Sequence, residues 1–125
     1  MLFRSSIFGY IFAPFGWLLG FEDVLMAGKL LGDKLILNEF IAYGSLGGMM
    51  SAGTISARDA LIATISLAGF ANLSSMGMCV GGIGVLCPEK RPTISRLVLK
   101  ATIAGVFVSI NSALIVSIIY NLPIL

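Results

Sequence analysis

The sequence contains no histidine, which removes the commonest general base, the commonest zinc ligand and the usual pH switch together. Charge is scarce too: 11% of the 125 residues are Asp, Glu, Lys or Arg, against roughly a quarter in an ordinary soluble domain. Only two cysteines occur, Cys79 and Cys87, eight residues apart in an apolar stretch. They form neither a CxxC pair nor a disulfide framework and read as buried packing residues. The net charge of +2 is too small to point to nucleic acid as a partner. What remains is apolar. Hydrophobic residues make up 58% of the chain and the mean hydropathy is +1.02, so there is too little polar surface to face water all round. The solvent for most of these side chains is lipid or other membrane protein. At about 1.5 Å per residue and about 30 Å of hydrocarbon, the chain makes roughly three or four crossings at most. The expected fold is an all-α integral membrane domain.

The charges cluster, and the gaps between clusters define segments. After Arg4, residues 5–21 are uncharged and aromatic-rich, interrupted by Pro14 and closed by Trp17, a membrane segment with an interfacial anchor. It lacks a signal-peptide cleavage pattern and is read as retained. In residues 22–34, Glu22, Asp23, Lys29, Asp33 and Lys34 alternate with Val24, Leu25, Met26, Leu30 and Leu31. That amphipathic pattern predicts a short interfacial helix. Residues 35–55 carry Asn38 and Glu39 near their start and Gly44, Gly47, Gly48 and Gly53 further on. A carboxylate is expensive in lipid and glycine weakens a helix, so this stretch is predicted to be a re-entrant helical hairpin. Residues 60–87 would make about 42 Å as one helix, too long for a straight crossing. Gly69-Phe70-Ala71-Asn72-Leu73-Ser74-Ser75 in its middle is rich in poor helix formers. Two half-helices joined by an unwound turn are expected. Residues 97–119 read as the final transmembrane helix.

Orientation follows from the basic residues. The segment 88–100 holds Lys90, Arg91, Arg96 and Lys100 and is placed in the cytoplasm of a multi-pass protein of the inner or plasma membrane. The last helix then runs outward and leaves the C-terminus outside, the 51–59 loop faces outside, and Arg4 lies inside. No internal repeat and no separate soluble domain can be delimited.

At membrane depth Glu39 stands out first, because a carboxylate there must be paired, protonated or waiting for a polar ligand or ion. Asn38 beside it is either a second binding group or a helix cap. Asn72 and Ser75, three apart, share a face if a helical turn survives and offer donors and acceptors suited either to hydroxyl groups or to hydrogen bonds between helices. Unwound backbone at this depth is tolerated where it lines a cavity or lies buried in protein. Phe70 is either an apolar wall for a ligand or core. Gly77, Gly81, Gly82 and Gly84 are read as close-packing positions; no strand precedes them and no Lys-Ser/Thr pair follows, so they are not a phosphate loop. No histidine is available to complete a nucleophilic triad. A broken helix beside a hairpin bearing an acid is the layout of a transporter site at the bilayer midplane.

Three strings carry a family resemblance. Gly32-Asp33-Lys34-Leu35-Ile36-Leu37-Asn38-Glu39-Phe40-Ile41-Ala42-Tyr43, then Ala68-Gly69-Phe70-Ala71-Asn72-Leu73-Ser74-Ser75, then Gly81-Gly82-Ile83 with Pro88-Glu89-Lys90-Arg91, resemble the C-terminal region of the concentrative nucleoside transporters from about residue 12 to 119. The resemblance implies that Glu39, Asn72 and Ser75 hold the ribose hydroxyls of a nucleoside such as uridine, with Phe70 near the sugar. Ala68 stands where many relatives have cysteine. The family's first hairpin and first broken helix, which read the nucleobase and bind the coupling ion, have no counterpart in these residues. The resemblance therefore implies the ribose-binding part of a sodium- or proton-coupled symporter, with the ion site elsewhere. The expected partners are an N-terminal half or homologous subunits, in a trimer. The alternatives weighed beside this are a non-transporting fragment or remnant packed against a full-length relative, and, ranked last, a membrane enzyme.

Overall fold

Apolar runs punctuated by capping residues give helices, and the computed structural model is helical along nearly all of its length. It describes residues 2–122, with side chains from residue 7 onward. The expectations for the Arg4 side chain and the C-terminal end fall outside that range. Helix α1 (Leu2–Leu19) continues through Pro14, and Gly20, at φ +76°, turns the chain out of it. Asp23 then caps α2 (Val24–Ile36) by accepting from Met26 N at 2.9 Å. The two helices pack antiparallel and make the most extensive interface of the fold, with Gly28 on the Gly9 backbone and Gly32 on Phe8.

Only Leu37 and Asn38 separate α2 from α3 (Glu39–Ser51). The chain therefore turns at residues 37–38, and α2 and α3 are the arms of the hairpin. This differs from the predicted partition into an interfacial helix over 22–34 and a hairpin over 35–55. The physical reason is twofold. Gly28 and Gly32 let α2 lie flush on α1, so one face of the helix, with Ala27, Leu30, Leu31 and Lys34, is buried in protein. Asn38, whose side chain accepts from Ile41 N at 2.9 Å, starts a new helix that runs on through Gly44, Gly47 and Gly48.

Gly53, at φ +66°, turns the chain again, and Ser56 caps α4 (Ala57–Leu67). Residues 68–72 are not helical. Helix α5 (Leu73–Met78) then continues without a gap through a π-helical turn, Cys79–Ile83, into α6 (Gly84–Leu86). A 3-10 turn at Pro88–Lys90 leads into the long α7 (Arg91–Tyr120), which packs on α4 and touches α1. Leu19, Leu30, Leu46, Ile62, Leu67 and Ala113 join α1, α2, α3, α4 and α7 in one core. In lipid such burial stabilises through close packing rather than release of water. The outer face of α7 stays apolar and open, with Phe107 and Val108 61% and 65% exposed, surface that suits lipid or a partner. Pro88–Tyr120 is the one segment among the described residues long and apolar enough to cross a membrane, while Ile7–Leu18 and Leu73–Leu86 are shorter apolar helices.

One polar knot ties the end of α1 and the last turns of α7 to the start of α4. Buried Asp59 accepts from Glu22 N at 3.0 Å and pairs with Arg58 at 3.0 Å. Arg58 also donates to Gly20 O at 2.7 Å and Ser117 Oγ at 3.0 Å, and Ser117 donates to Leu19 O at 2.9 Å. Removing the carboxylate strands a backbone N–H and leaves Arg58 without its counter-charge. Asp59→Ala is expected to lower stability by about 2–3 kcal/mol, against about 1 kcal/mol for loss of the exposed cap in Asp23→Ala. Thermal unfolding in detergent checks the ranking, and equal melting of the two variants overturns it.

Candidate functional site

The break between α4 and α5 is built from local chemistry. Gly69 adopts φ +98°, a backbone state open to glycine and costly for residues with a Cβ. Asn72 is extended and caps α5 in a reciprocal capping box. Its Oδ1 accepts from Ser75 N at 2.8 Å, and Asn72 N donates to Ser75 Oγ at 3.2 Å. The Ser75 hydroxyl in turn donates to Phe70 O. Both side chains are buried, Asn72 being 1% exposed.

The hairpin tip meets this break. Glu39, the first residue of α3, accepts a hydrogen bond of 2.6 Å from Asn72 Nδ2 on Oε2. Ser74 Oγ donates to Leu37 O at 2.9 Å and adds a second link. Glu39 is thus brought to Asn72, 33 residues further along the chain, and to the capping box that Asn72 forms with Ser75. Among the described residues Glu39 Oε1 makes no hydrogen bond, and Asn72 Nδ2 has a second N–H to give. A free carboxylate oxygen beside a free amide N–H can take one hydroxyl as donor and another as acceptor.

The remaining candidates are placed differently. Asn38 Oδ1 is committed to its capping bond with Ile41 N. Phe70 is 68% exposed and lines an open cavity of about 660 Å³ between the break and α7, together with Ser75, Met76, Cys79, Thr102 and Ser109. That volume is in the range of small-molecule clefts. The lining is mainly apolar, and Glu39 and Asn72 do not reach it. Gly44, Gly47 and Gly48 of the hairpin, and Gly77, Gly81 and Gly82 beyond the break, face open space rather than a packed neighbour, whereas Gly84 abuts Arg91. Cys79, half-buried, and Cys87, exposed, are not the buried packing residues expected from their apolar surroundings in sequence, and among the described residues no three His, Cys, Asp or Glu side chains gather as a metal-ligand set.

Two contributors had no prediction attached. Ser74 belongs to the recognised string, but its reach to Leu37 depends on where the hairpin turns. Lys34, which the amphipathic pattern places at an interface, is buried instead, and its ammonium donates to Ser66 O at 2.9 Å, Ala68 O at 3.0 Å and Ser109 Oγ at 3.0 Å. The signal available in sequence was its place four residues before Asn38 in the Lys-x-x-x-Asn-Glu-Phe string.

A hairpin whose tip carboxylate meets the capped end of an interrupted helix, in a chain with a membrane-length helix, has the build of a membrane transport protein. The chain belongs to the nucleoside transporter family: the family pattern described as the Na+ dependent nucleoside transporter C-terminus matches residues 3–117. It is 42% identical over 113 residues to the uncharacterized transporter YutK of Bacillus subtilis, covering 89% of this chain and 28% of that protein. Over 129 residues it is 38% identical to the sodium/nucleoside cotransporter 1 of Mus musculus, covering 91% of this chain and 20% of the relative. The solved structure of CNTnw in an inward-facing substrate-bound state superposes with a TM-score of 0.87 at 32% identity, covering 95% of this chain and 30% of that one. The chain thus spans between a fifth and three-tenths of the length of these proteins. The family is one of membrane transporters, not enzymes.

Proposed function

We propose that this chain supplies the ribose-binding part of a cation-coupled nucleoside symporter. The observation that carries the reading is the meeting of Glu39, Asn72 and Ser75 where the hairpin tip touches the break. Glu39 Oε1 accepts from one sugar hydroxyl, and the second N–H of Asn72 donates to its neighbour. Ser75 holds Asn72 in place from within the capping box and stands ready on the groove side. Phe70 offers an apolar wall to the sugar at the groove mouth, and Asn38 acts by starting α3 so that Glu39 projects from the tip. Within a low-dielectric site such paired polar groups recognise hydroxyls strongly, because a ligand lacking them leaves the carboxylate and amide unpaired.

The coupling ion, Na+ or H+, belongs in this reading to the complementary part of the transporter, as do the groups that read the base. The partners are that N-terminal part or homologous subunits, assembled as a trimer in the inner or plasma membrane. Segment 88–100 then lies on the cytoplasmic face and the C-terminus outside. The test is uridine uptake by cells lacking their own nucleoside transporters. The chain is expressed alone and together with the N-terminal part of a relative. Ion-dependent uptake with the partner is the expected result. No uptake in either case, despite confirmed insertion, overturns the reading in favour of a non-transporting remnant.

A further inference from the structure

Burying an ammonium costs several kcal/mol unless every N–H is satisfied, and lysine is among the side chains least often fully buried. Lys34 is 4% exposed, so its contacts must offset that cost. Its three N–H groups are all used, on Ser66 O, Ala68 O and Ser109 Oγ. No carboxylate pairs with it: the ion pair found among the described residues is Arg58 with Asp59. The charge rests instead on the carbonyl end of α4, where an interrupted helix leaves acceptors without partners and a partial negative charge. Ser109 closes the arrangement by donating to Ala68 O at 2.8 Å.

Those contacts join three elements at one atom: the first arm of the hairpin, the start of the break and α7. Their place along the chain gives them consequence. Ala68 O lies four residues before Asn72, and Lys34 lies five before Glu39. The hairpin and the broken helix are therefore attached at two heights, by Lys34 below and by the Glu39–Asn72 and Ser74–Leu37 bonds at the tip. The lysine adds a directional, polar restraint at the level of the break to the apolar packing of α2 on α1 and α4. An apolar side chain of similar length would fill the space, but it would take the lysine's donor from Ser66 O and leave Ala68 O with that of Ser109 alone.

We infer that Lys34 is a positioning residue for sugar recognition: by holding the carbonyl end of α4 against the hairpin arm and α7, it fixes Asn72 and Ser75 relative to Glu39. The inference rests on the ribose-binding reading above and goes beyond it, since Lys34 touches no part of a nucleoside.

The experiment compares the parent with Lys34→Met, Lys34→Arg and Ser109→Ala in the assembled transporter, measuring KM for uridine, 2′-deoxyuridine and 3′-deoxyuridine. Lys34→Met is expected to raise the uridine KM about tenfold or more and to flatten the preference for uridine over both deoxy analogues. Lys34→Arg, which keeps charge and donors, restores most of that preference. Ser109→Ala leaves both α4 carbonyls held and changes the KM less than about threefold. A fall in maximal rate with the preference intact would show a merely structural lysine and overturn the inference.

A second readout is independent of transport. Spin labels at Ile41 and Leu73, both exposed, are placed in a protein whose Cys79 and Cys87 are changed to serine, and the distance between them is measured across the tip. The distribution is narrow in the parent and in Lys34→Arg, and broad in Lys34→Met. An unchanged distribution in Lys34→Met overturns the positioning role whether or not uptake is seen. Should Lys34→Met fail to insert, Lys34→Gln, with its shorter amide donor, is read for the same quantities. Failure of the underlying reading shows itself differently, as a parent assembly that takes up no nucleoside or a Glu39→Gln variant that takes it up unchanged.

Discussion

Exchange of Glu39 for glutamine is expected to reduce uridine uptake to background in any assembly that contains this chain, while leaving the fold intact. Glutamine is nearly isosteric, and its carbonyl can still accept from Asn72, so the hairpin tip keeps its contact with the break. What is lost is the charge and one acceptor. The charge-assisted bond from Asn72 becomes a neutral one of about half the strength, and the oxygen facing a sugar hydroxyl becomes an N–H donor. Loss of a hydrogen bond to a charged group weakens binding by about 1.5–3 kcal/mol, roughly ten- to a hundredfold. With the tip contact weakened at the same time, the combined effect is a hundredfold or more. The measurement pairs initial uptake rate with surface-expressed protein and a detergent melting curve. Normal uptake by a well-inserted Glu39→Gln protein removes the sugar-binding assignment.

The same residue shows what was legible in the sequence. An acid within an apolar run is conspicuous by its cost, and a cluster of Gly, Asn and Ser at the middle of an overlong run marks an interruption. Both features are local, so composition and spacing expose them. The hairpin's boundaries are not legible in the same way, because clusters of charge do not mark the ends of its arms. Lys34, in one such cluster, is buried, and its partners lie 32, 34 and 75 residues away, a distance at which no periodicity can signal a contact. Asp59 is alike, since a loop acid that looks solvated is held by the Glu22 backbone N–H from across the fold. The turn at residues 37–38 was hidden by the glycines beyond it. Glycine weakens a helix without preventing one, and α3 passes through Gly44, Gly47 and Gly48. Asn38 had two readings in sequence, and its Ile41 bond gives it the work of a cap.

Gly28→Ala is expected to produce the largest loss of stability from a single methyl group. A Cβ at this position would fall far inside contact distance of Gly9 O, 2.9 Å from Ala13 N and 3.1 Å from Gly9 C. All three are backbone atoms, so no side-chain rotamer can relieve the overlap and α1 must move away from α2. That separation loosens the most extensive helix pair in the fold, and a cost of about 2–4 kcal/mol follows, at the upper end for overpacking. Gly47→Ala is the matched control. Nothing lies within 4 Å of its added Cβ, so the change relieves the helix penalty of glycine and is expected to stabilise α3 by up to about 1 kcal/mol. The two substitutions are chemically identical, and each sits on one arm of the same hairpin. Opposite shifts in the detergent melting temperature would therefore show that α2 is anchored on α1 while the face of α3 carrying Gly47 is open. Parent-like melting of Gly28→Ala would mean that the close approach of α1 and α2 does not exist.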